Sequence, residues 1–219
     1  MNFVVIVIDG PARTGTSRLA EKLAEHLGIP RMNTGELYRG VALIAKWTNR
    51  NIYSPEEMAE IAATIQFEFE HGSVVAINGR TVTHADLRSV STTVAHIAHY
   101  PDVRKYIREW QLQFAEQGHC VLEGRDLGSS VFPHSPFKIF LTCDDVERAR
   151  RGSNDEGRIV TVEELHERDL MDAERDHSPM VCPADAHCYD TTSTSVPELV
   201  SAVELKLKGI PEVWSKLKG

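Results

Sequence analysis

An apolar, largely β-branched run, Phe3 to Ile8, passes through Asp9 into Gly10-Pro11-Ala12-Arg13-Thr14-Gly15-Thr16-Ser17-Arg18. Leu19, Leu23 and Leu27 then recur at helical spacing. A strand covered on both faces, a glycine turn and a helix entered at its N-terminus commit a chain to parallel α/β layering. The turn's amides and the positive end of the helix then face one point at the strand's carboxyl end, which suits phosphate. Of the pattern G-x-x-x-x-G-K-[ST], Gly10, Gly15 and Ser17 are in place, and the Ser17 hydroxyl is the group that would ligate Mg²⁺. Thr16 stands where the pattern has lysine. Glycine-rich strand-to-helix turns also occur in parallel α/β proteins that bind no phosphate, so the motif alone leaves both readings open.

A chain of 219 residues buries a sizeable core and suits one domain with small insertions. The net charge of −8 excludes a generally basic surface, so no nucleic-acid polymer is expected as a partner, while a locally basic pocket for a small anion remains open. The longest apolar runs are too short for a bilayer, no membrane partner is expected, and the first residues lack the pattern of a secretion signal; the expectation is a cytoplasmic protein, and a monomer. Cys120, Cys143, Cys182 and Cys188 read as reduced core thiols. His177, Cys182, His187 and Cys188 form a loose cluster, but no C-x-x-C or H-x-x-x-H pair organises it for zinc.

Strand and helix signals alternate. Arg31 to Asn33 reads as a short strand and Gly35 to Trp47 as a helix; Ser54, Pro55 and Glu57 spell a capping box. Val74 to Ile77, Asn78-Gly79 and Thr81 to Thr83 have the form of a hairpin. Pro101 opens a long amphipathic helix, followed by strands at Cys120 to Leu122 and Lys138 to Leu141. Asp144 or Asp145 caps the helix with Arg148, Arg150 and Arg151, and Gly152 to Gly157 reads as a mobile polar segment. Thr161 with Glu164 opens another helix, His187 to Tyr189 is the last strand, and Ser195 with Glu198 caps a final helix ending near Gly209. This order predicts a parallel sheet flanked by helices, with ligands at the carboxyl ends of its strands.

Arginine and aspartate recur at element ends: Arg39, Arg104, Arg125 with Asp126, the Arg148 to Arg151 group, and Arg168, Asp172 and Arg175. Guanidinium forks bind phosphate bidentately, and phosphoryl transfer depends on several of them for positioning and charge neutralisation. The competing reading for Arg148 to Arg151 and for Arg168 to Arg175 is a solvated helix face with i,i+3 and i,i+4 pairs worth about 0.2–0.5 kcal/mol each.

The separated segments Ile8-Asp9-Gly10-Pro11-Ala12, Asn33-Thr34-Gly35-Glu36-Leu37-Tyr38-Arg39, Pro101-Asp102-Val103-Arg104, Glu123-Gly124-Arg125-Asp126-Leu127-Gly128, Val131-Phe132-Pro133 and Glu167-Arg168-Asp169 resemble, in order and over essentially the whole chain, the bacterial-type cytidylate kinase family. The resemblance implies a P-loop NTPase-like fold comprising a single kinase-like domain over 1–219, a monophosphate-binding insertion near 34–100 and a short lid near 148–165. It also implies transfer of the γ-phosphoryl of ATP to CMP or dCMP with Mg²⁺. Donor binding then falls to Gly10, Pro11, Ala12, Arg13, Thr14, Gly15, Thr16, Ser17 and Arg18. Acceptor binding falls to Thr34, Arg39, Arg104, Arg125, Asp126, Arg168, Asp172 and Arg175, and catalysis to Arg125, Arg148, Arg151, Arg168 and Asp172.

The chain departs from the family pattern at Arg13 for glycine, Thr16 for lysine, Arg18 for a hydroxyl residue, Met171 for arginine and Ala95 for a serine that meets the base, with Thr93 a neighbour able to substitute. An arginine held left-handed at position 13 is strained by roughly 1–2 kcal/mol. The alternative function is a CMP-binding protein with weak or no kinase activity because Thr16 replaces the lysine; a third is a small-molecule kinase with another acceptor.

Overall fold

The computed structural model describes residues 3–218, which divide into two compact units, residues 3–31 with 118–218, and residues 32–117. In chain order the elements are β1 (Val5–Asp9), α1 (Thr16–Leu27), β2 (Arg31–Asn33), α2 (Thr34–Trp47), α3 (Pro55–Thr64), β3 (Phe67–Glu70), β4 (Ser73–Ile77) and β5 (Arg80–Thr81). There follow α4 (His84–Arg88), α5 (Val94–Ile97), α6 (Pro101–Ala115), β6 (Cys120–Gly124), a single π-turn (Leu127–Val131) and β7 (Phe137–Thr142). The chain closes with α7 (Asp145–Glu156), α8 (Val162–Ala173), β8 (His187–Asp190), α9 (Val196–Lys208) and α10 (Pro211–Lys218).

The main sheet runs β2-β6-β1-β7-β8, its last four strands in the first unit, with β1 parallel to both β6 and β7, and β7 parallel to β8. Every residue of β1 is buried, as an apolar run of this kind requires when both faces are covered. Ile6 and Ile8, with Val121, Ile139 and Leu141 from the flanking strands, pack against Leu19, Leu23 and Leu27 of α1 and Leu199, Val203 and Leu207 of α9. Each such leucine contributes about 1.5–3 kcal/mol by leaving water. The helical spacing that marks α1 in the sequence is thus the stripe that fixes it over β1. Its first turn is thereby held at the end of that strand.

The second unit pairs helices with a three-stranded antiparallel sheet, β3-β4-β5. The Asn78-Gly79 hairpin forms as expected, both residues taking positive φ (50° and 73°). A second hairpin, through His71 and Gly72 (φ 48° and 79°), adds β3, which the sequence reading lacks. Its Phe-Glu-Phe-Glu alternation places Phe67 and Phe69 against Trp110, ring centroids 5.4 and 6.1 Å away. Gly40 on α2 is required by close approach: a Cβ there would lie 2.4 Å from a Phe67 ring carbon. The buried Glu36 of α2 accepts a hydrogen bond from the Val74 amide (2.9 Å) and joins helix to sheet.

Several expectations need correction. Residues 152–156 are the last turns of α7, ended by Gly157 in the left-handed conformation, and not a loop; Gly152 fits there because a Cβ would meet Val160 at 3.1–3.4 Å. Ser54 and Thr161 accept from the amides of Glu57 and Glu164, but the boxes are half-built. Glu57 accepts from the Asn51 amide, and Glu164 accepts from Arg158. Ser195 and Glu198 form the complete box. The chain continues past Gly209 into α10, which Pro211 initiates. Cys120 is a core thiol, but Cys182 and Cys188 are exposed. Among the described residues no helix is long and apolar enough to cross a membrane.

Candidate active site

The glycine loop leaves β1 at Gly10, whose φ of 156° and approach to β7 exclude a side chain: a Cβ would lie 2.5 Å from the Leu141 carbonyl oxygen. Arg13 takes the left-handed conformation (φ 65°), so the substitution for glycine keeps the glycine-like backbone and carries the strain expected of it. Its guanidinium binds the carboxylates of Asp155 (3.0 Å) and Glu156 at the end of α7. Thr14 is fully buried and donates to the Pro11 carbonyl (2.8 Å). Gly15 (φ 99°) begins α1 with no side-chain cap, so the first amides of the helix are left for an anion. Thr16 is buried at the first position of α1, and Arg18 is exposed on the same turn.

The helix-face reading of Arg148 and Arg151 fails. Arg148 is 4 % exposed: Nε donates to the Ala12 carbonyl (2.7 Å), Nη1 to Asp145 (2.8 Å) and Nη2 to Asp169. Arg151 donates to the carbonyls of Thr14 (3.4 Å) and Thr191 and pairs with Glu147 (2.9 Å). Both side chains fold α7 onto the loop. Arg150 does lie in solvent, paired with Glu147.

Three carboxylates to which the sequence assigned no role of their own shape this region. Asp169 also accepts from the Ala12 amide (3.3 Å), so it and Arg148 hold both backbone groups of Ala12. Glu123, 5 % exposed at the end of β6, accepts from the Ser17 hydroxyl (2.7 Å). Asp9, 1 % exposed, accepts from the amides of Leu127 (3.0 Å) and Gly128 (2.7 Å). Burial pushes its carboxyl up to about 7, against the lowering effect of those two amides. Their shared signal is position: an acidic residue at the carboxyl end of a buried strand, or one following an arginine on the helix that faces the loop.

On the same unit, Asp172 (3 % exposed) lies between two arginines, 3.3 Å from Arg125 Nε and in direct contact with Arg175. Arg125 also donates to the Gly10 carbonyl, so one guanidinium joins the loop to this cluster. Arg175 is buried, and its Nε–H meets no acceptor among the described residues. Asp126 is buried at the start of the π-turn. Arg168, half-buried, is one helical turn before Asp172 on α8. The second unit carries Thr34, buried at the start of α2, and Arg39, whose Nε donates to Ser91 (3.2 Å) while its guanidinium lies over Gly35. There too Arg104 is buried beneath the Tyr38 ring (5.8 Å) and donates to the Ala98 carbonyl (3.2 Å). Ala95 is buried, and the nearby Thr93 hydroxyl donates to Val90 (2.8 Å), keeping lone pairs to accept.

A parallel sheet with this loop between its first strand and first helix defines a phosphate-loop kinase fold. The crystal structure of a gluconokinase from Sinorhizobium meliloti 1021 shares it, with a TM-score of 0.52 at 14% identity, over 94% of this chain and 93% of that one. The chain belongs to the cytidylate kinase family, whose model matches residues 6–208. A cytidylate kinase of Desulfitobacterium hafniense (strain Y51) is 38% identical over 209 residues, 90% of each chain. One of Limosilactobacillus reuteri (strain DSM 20016) is 36% identical over 216 residues, 93% of this chain and 94% of that one.

Proposed function

We propose that the protein transfers the γ-phosphoryl of ATP to CMP or dCMP, giving ADP and the corresponding diphosphate. The observation that carries this reading is the Arg125–Asp172–Arg175 cluster, in which Arg125 is bonded to the loop at Gly10 and the buried Arg175 Nε–H still lacks an acceptor. Residues 10–18 take the donor. Their amides and the uncapped start of α1 face its phosphates, while Arg148 and Arg151 keep the loop in shape from behind. Thr34, Arg39 and Arg125 hold the acceptor's phosphate, Arg104, Asp126 and Arg175 its base, and Arg168 and Asp172 its ribose and the phosphates between.

The Ser17 and Glu123 oxygens, hydrogen-bonded to each other at 2.7 Å, are hard donors of the kind Mg²⁺ takes alongside water and phosphate oxygens. Bound with the donor, Mg²⁺ would neutralise part of the phosphate charge. Residues 34–100 act as the monophosphate-binding insertion and 148–165 as the lid, in one kinase domain that works as a cytoplasmic monomer. Family membership and the names of the relatives favour transfer over the binding-only alternative.

A coupled assay of ADP release with ATP and Mg²⁺ against CMP, dCMP, UMP and AMP tests this reading. CMP and dCMP should turn over with the highest kcat/KM. Equal rates for all four would remove the cytidylate assignment, and turnover of none would remove the kinase.

A further inference from the structure

Cys182 and Cys188 are both exposed, and their sulfur atoms are 3.2 Å apart. The backbone holds them there. Cys188 lies in β8 opposite Phe140 of the neighbouring strand β7, and the intervening chain is a tight turn closed by the Ala186 amide on the Pro183 carbonyl (3.0 Å). The turn is anchored at its tip, where the buried Lys138 ammonium holds both Asp185 carboxylate oxygens (2.8 and 3.0 Å) and the Pro133 carbonyl. A disulfide bond of about 2.05 Å requires only that the two sulfurs close by about 1.2 Å.

We propose that Cys182 and Cys188 are a modification site, a dithiol that peroxide closes reversibly to an intramolecular disulfide. One of the two sulfurs attacks a peroxide oxygen and becomes a sulfenic acid, with release of one water. The other sulfur then displaces the sulfenic oxygen as a second water. Two thiols and one hydrogen peroxide give one disulfide and two waters; the sulfurs lose two electrons and the peroxide gains them. Partial enclosure, then the neighbouring Cys188, then Asp9 push the Cys182 thiol up to about 11. Burial pushes Cys120 up to about 12, which leaves it inert under the same treatment.

The bond would act on the segment that carries Arg175. That segment is fixed at one end by the Met180 amide on the Asp172 carbonyl (2.9 Å), and beyond it Pro183 covers Gly128 beside Asp9. The disulfide secures its other end to β8.

The folded full chain is treated with dilute hydrogen peroxide, the peroxide is removed, and the thiols are titrated after unfolding in denaturant. Two of the four thiols should disappear and return with dithiothreitol, and non-reduced peptide maps should join Cys182 to Cys188 within one chain. The melting temperature should rise by about 5 °C in wild type and not in a C182S/C188S double variant. In each single variant, C182S or C188S, the remaining sulfur should give a sulfenic acid that dimedone traps, and no internal bond should form. Retention of all four thiols, a bond between chains, over-oxidation without a bond, or an unchanged melting temperature would each overturn the proposal. Both residues are exposed, so the serine variants fold.

Discussion

Thr16→Lys asks whether the loop lacks a charge that its neighbours do not supply. In the structure Arg13, Arg148 and Arg151, beside the loop, are taken by protein groups: Arg13 by Asp155 and Glu156, Arg148 by Ala12, Asp145 and Asp169, and Arg151 by Glu147, Thr14 and Thr191. Thr16 is buried at the positive end of α1, and a Cβ on Gly15 would lie 3.9 Å from an Arg151 nitrogen. An added ammonium there meets like charge, and the ligand-free protein should lose about 0.5–1 kcal/mol, a fall in Tm of roughly 1–4 °C. With donor bound the balance reverses. A preorganised charge on a transferring group is worth on the order of 3 kcal/mol, so kcat should rise about 100-fold at saturating ATP and CMP. The coupled assay reads kcat and KM for ATP, and calorimetry reads Tm. A kcat within twofold of wild type, in a variant whose Tm falls as expected, would refute the reasoning and assign the missing charge to Arg13 or Arg18.

Arg13→Gly relieves roughly 1–2 kcal/mol of left-handed strain but loses two exposed ion pairs of up to about 1 kcal/mol each and about 0.5–1 kcal/mol of chain entropy, so stability should stay within about 1 kcal/mol of wild type. A Tm change beyond about 4 °C would contradict that balance. Asp9 has a carboxyl raised from 3.8 to about 7, so the native state binds more protons than the unfolded chain between those values, and its contribution to stability falls as pH rises from 4 to 7. Asp9→Asn should flatten that part of the profile, and parallel urea melts of the two proteins with unchanged slope would show the group is not responsible. Arg39→Ala and Arg125→Ala should weaken CMP binding by about 1.5–3 kcal/mol and cytidine binding much less, because a guanidinium acts on the phosphate. Calorimetry showing normal CMP affinity in both variants would return these arginines to a structural role.

The elements that could be read from the sequence are those whose own residues fix them. The β-branched run of β1, the leucine stripe of α1, Asn78-Gly79 and the Ser195–Glu198 box all form as written. What escaped depends on partners outside the element itself. Glu68 and Glu70 hide β3, because its pairing is decided by β4 and its packing by Trp110. Residues 152–156 look like a loop until Val160 packs on Gly152. The same division runs through the site. The loop and its arginines were legible as motifs, but Asp9, Glu123 and Asp169 gain their roles from groups more than a hundred residues away, or from a neighbouring helix. Arg148 and Arg151 are ambiguous on a helical wheel, and their burial against Ala12 and Thr14 decides the matter.

Those two arginines also weld a helix to a loop. Because Arg148 and Arg151 are bonded to loop carbonyls, the first two turns of α7 are mechanically part of the loop. The turn that follows is gripped by Val160, which lies against Gly152 where a side chain would stand. The Arg13 pairs to Asp155 and Glu156 tie that same turn back to the loop, and because they are partly exposed they are the joints of this frame that salt loosens.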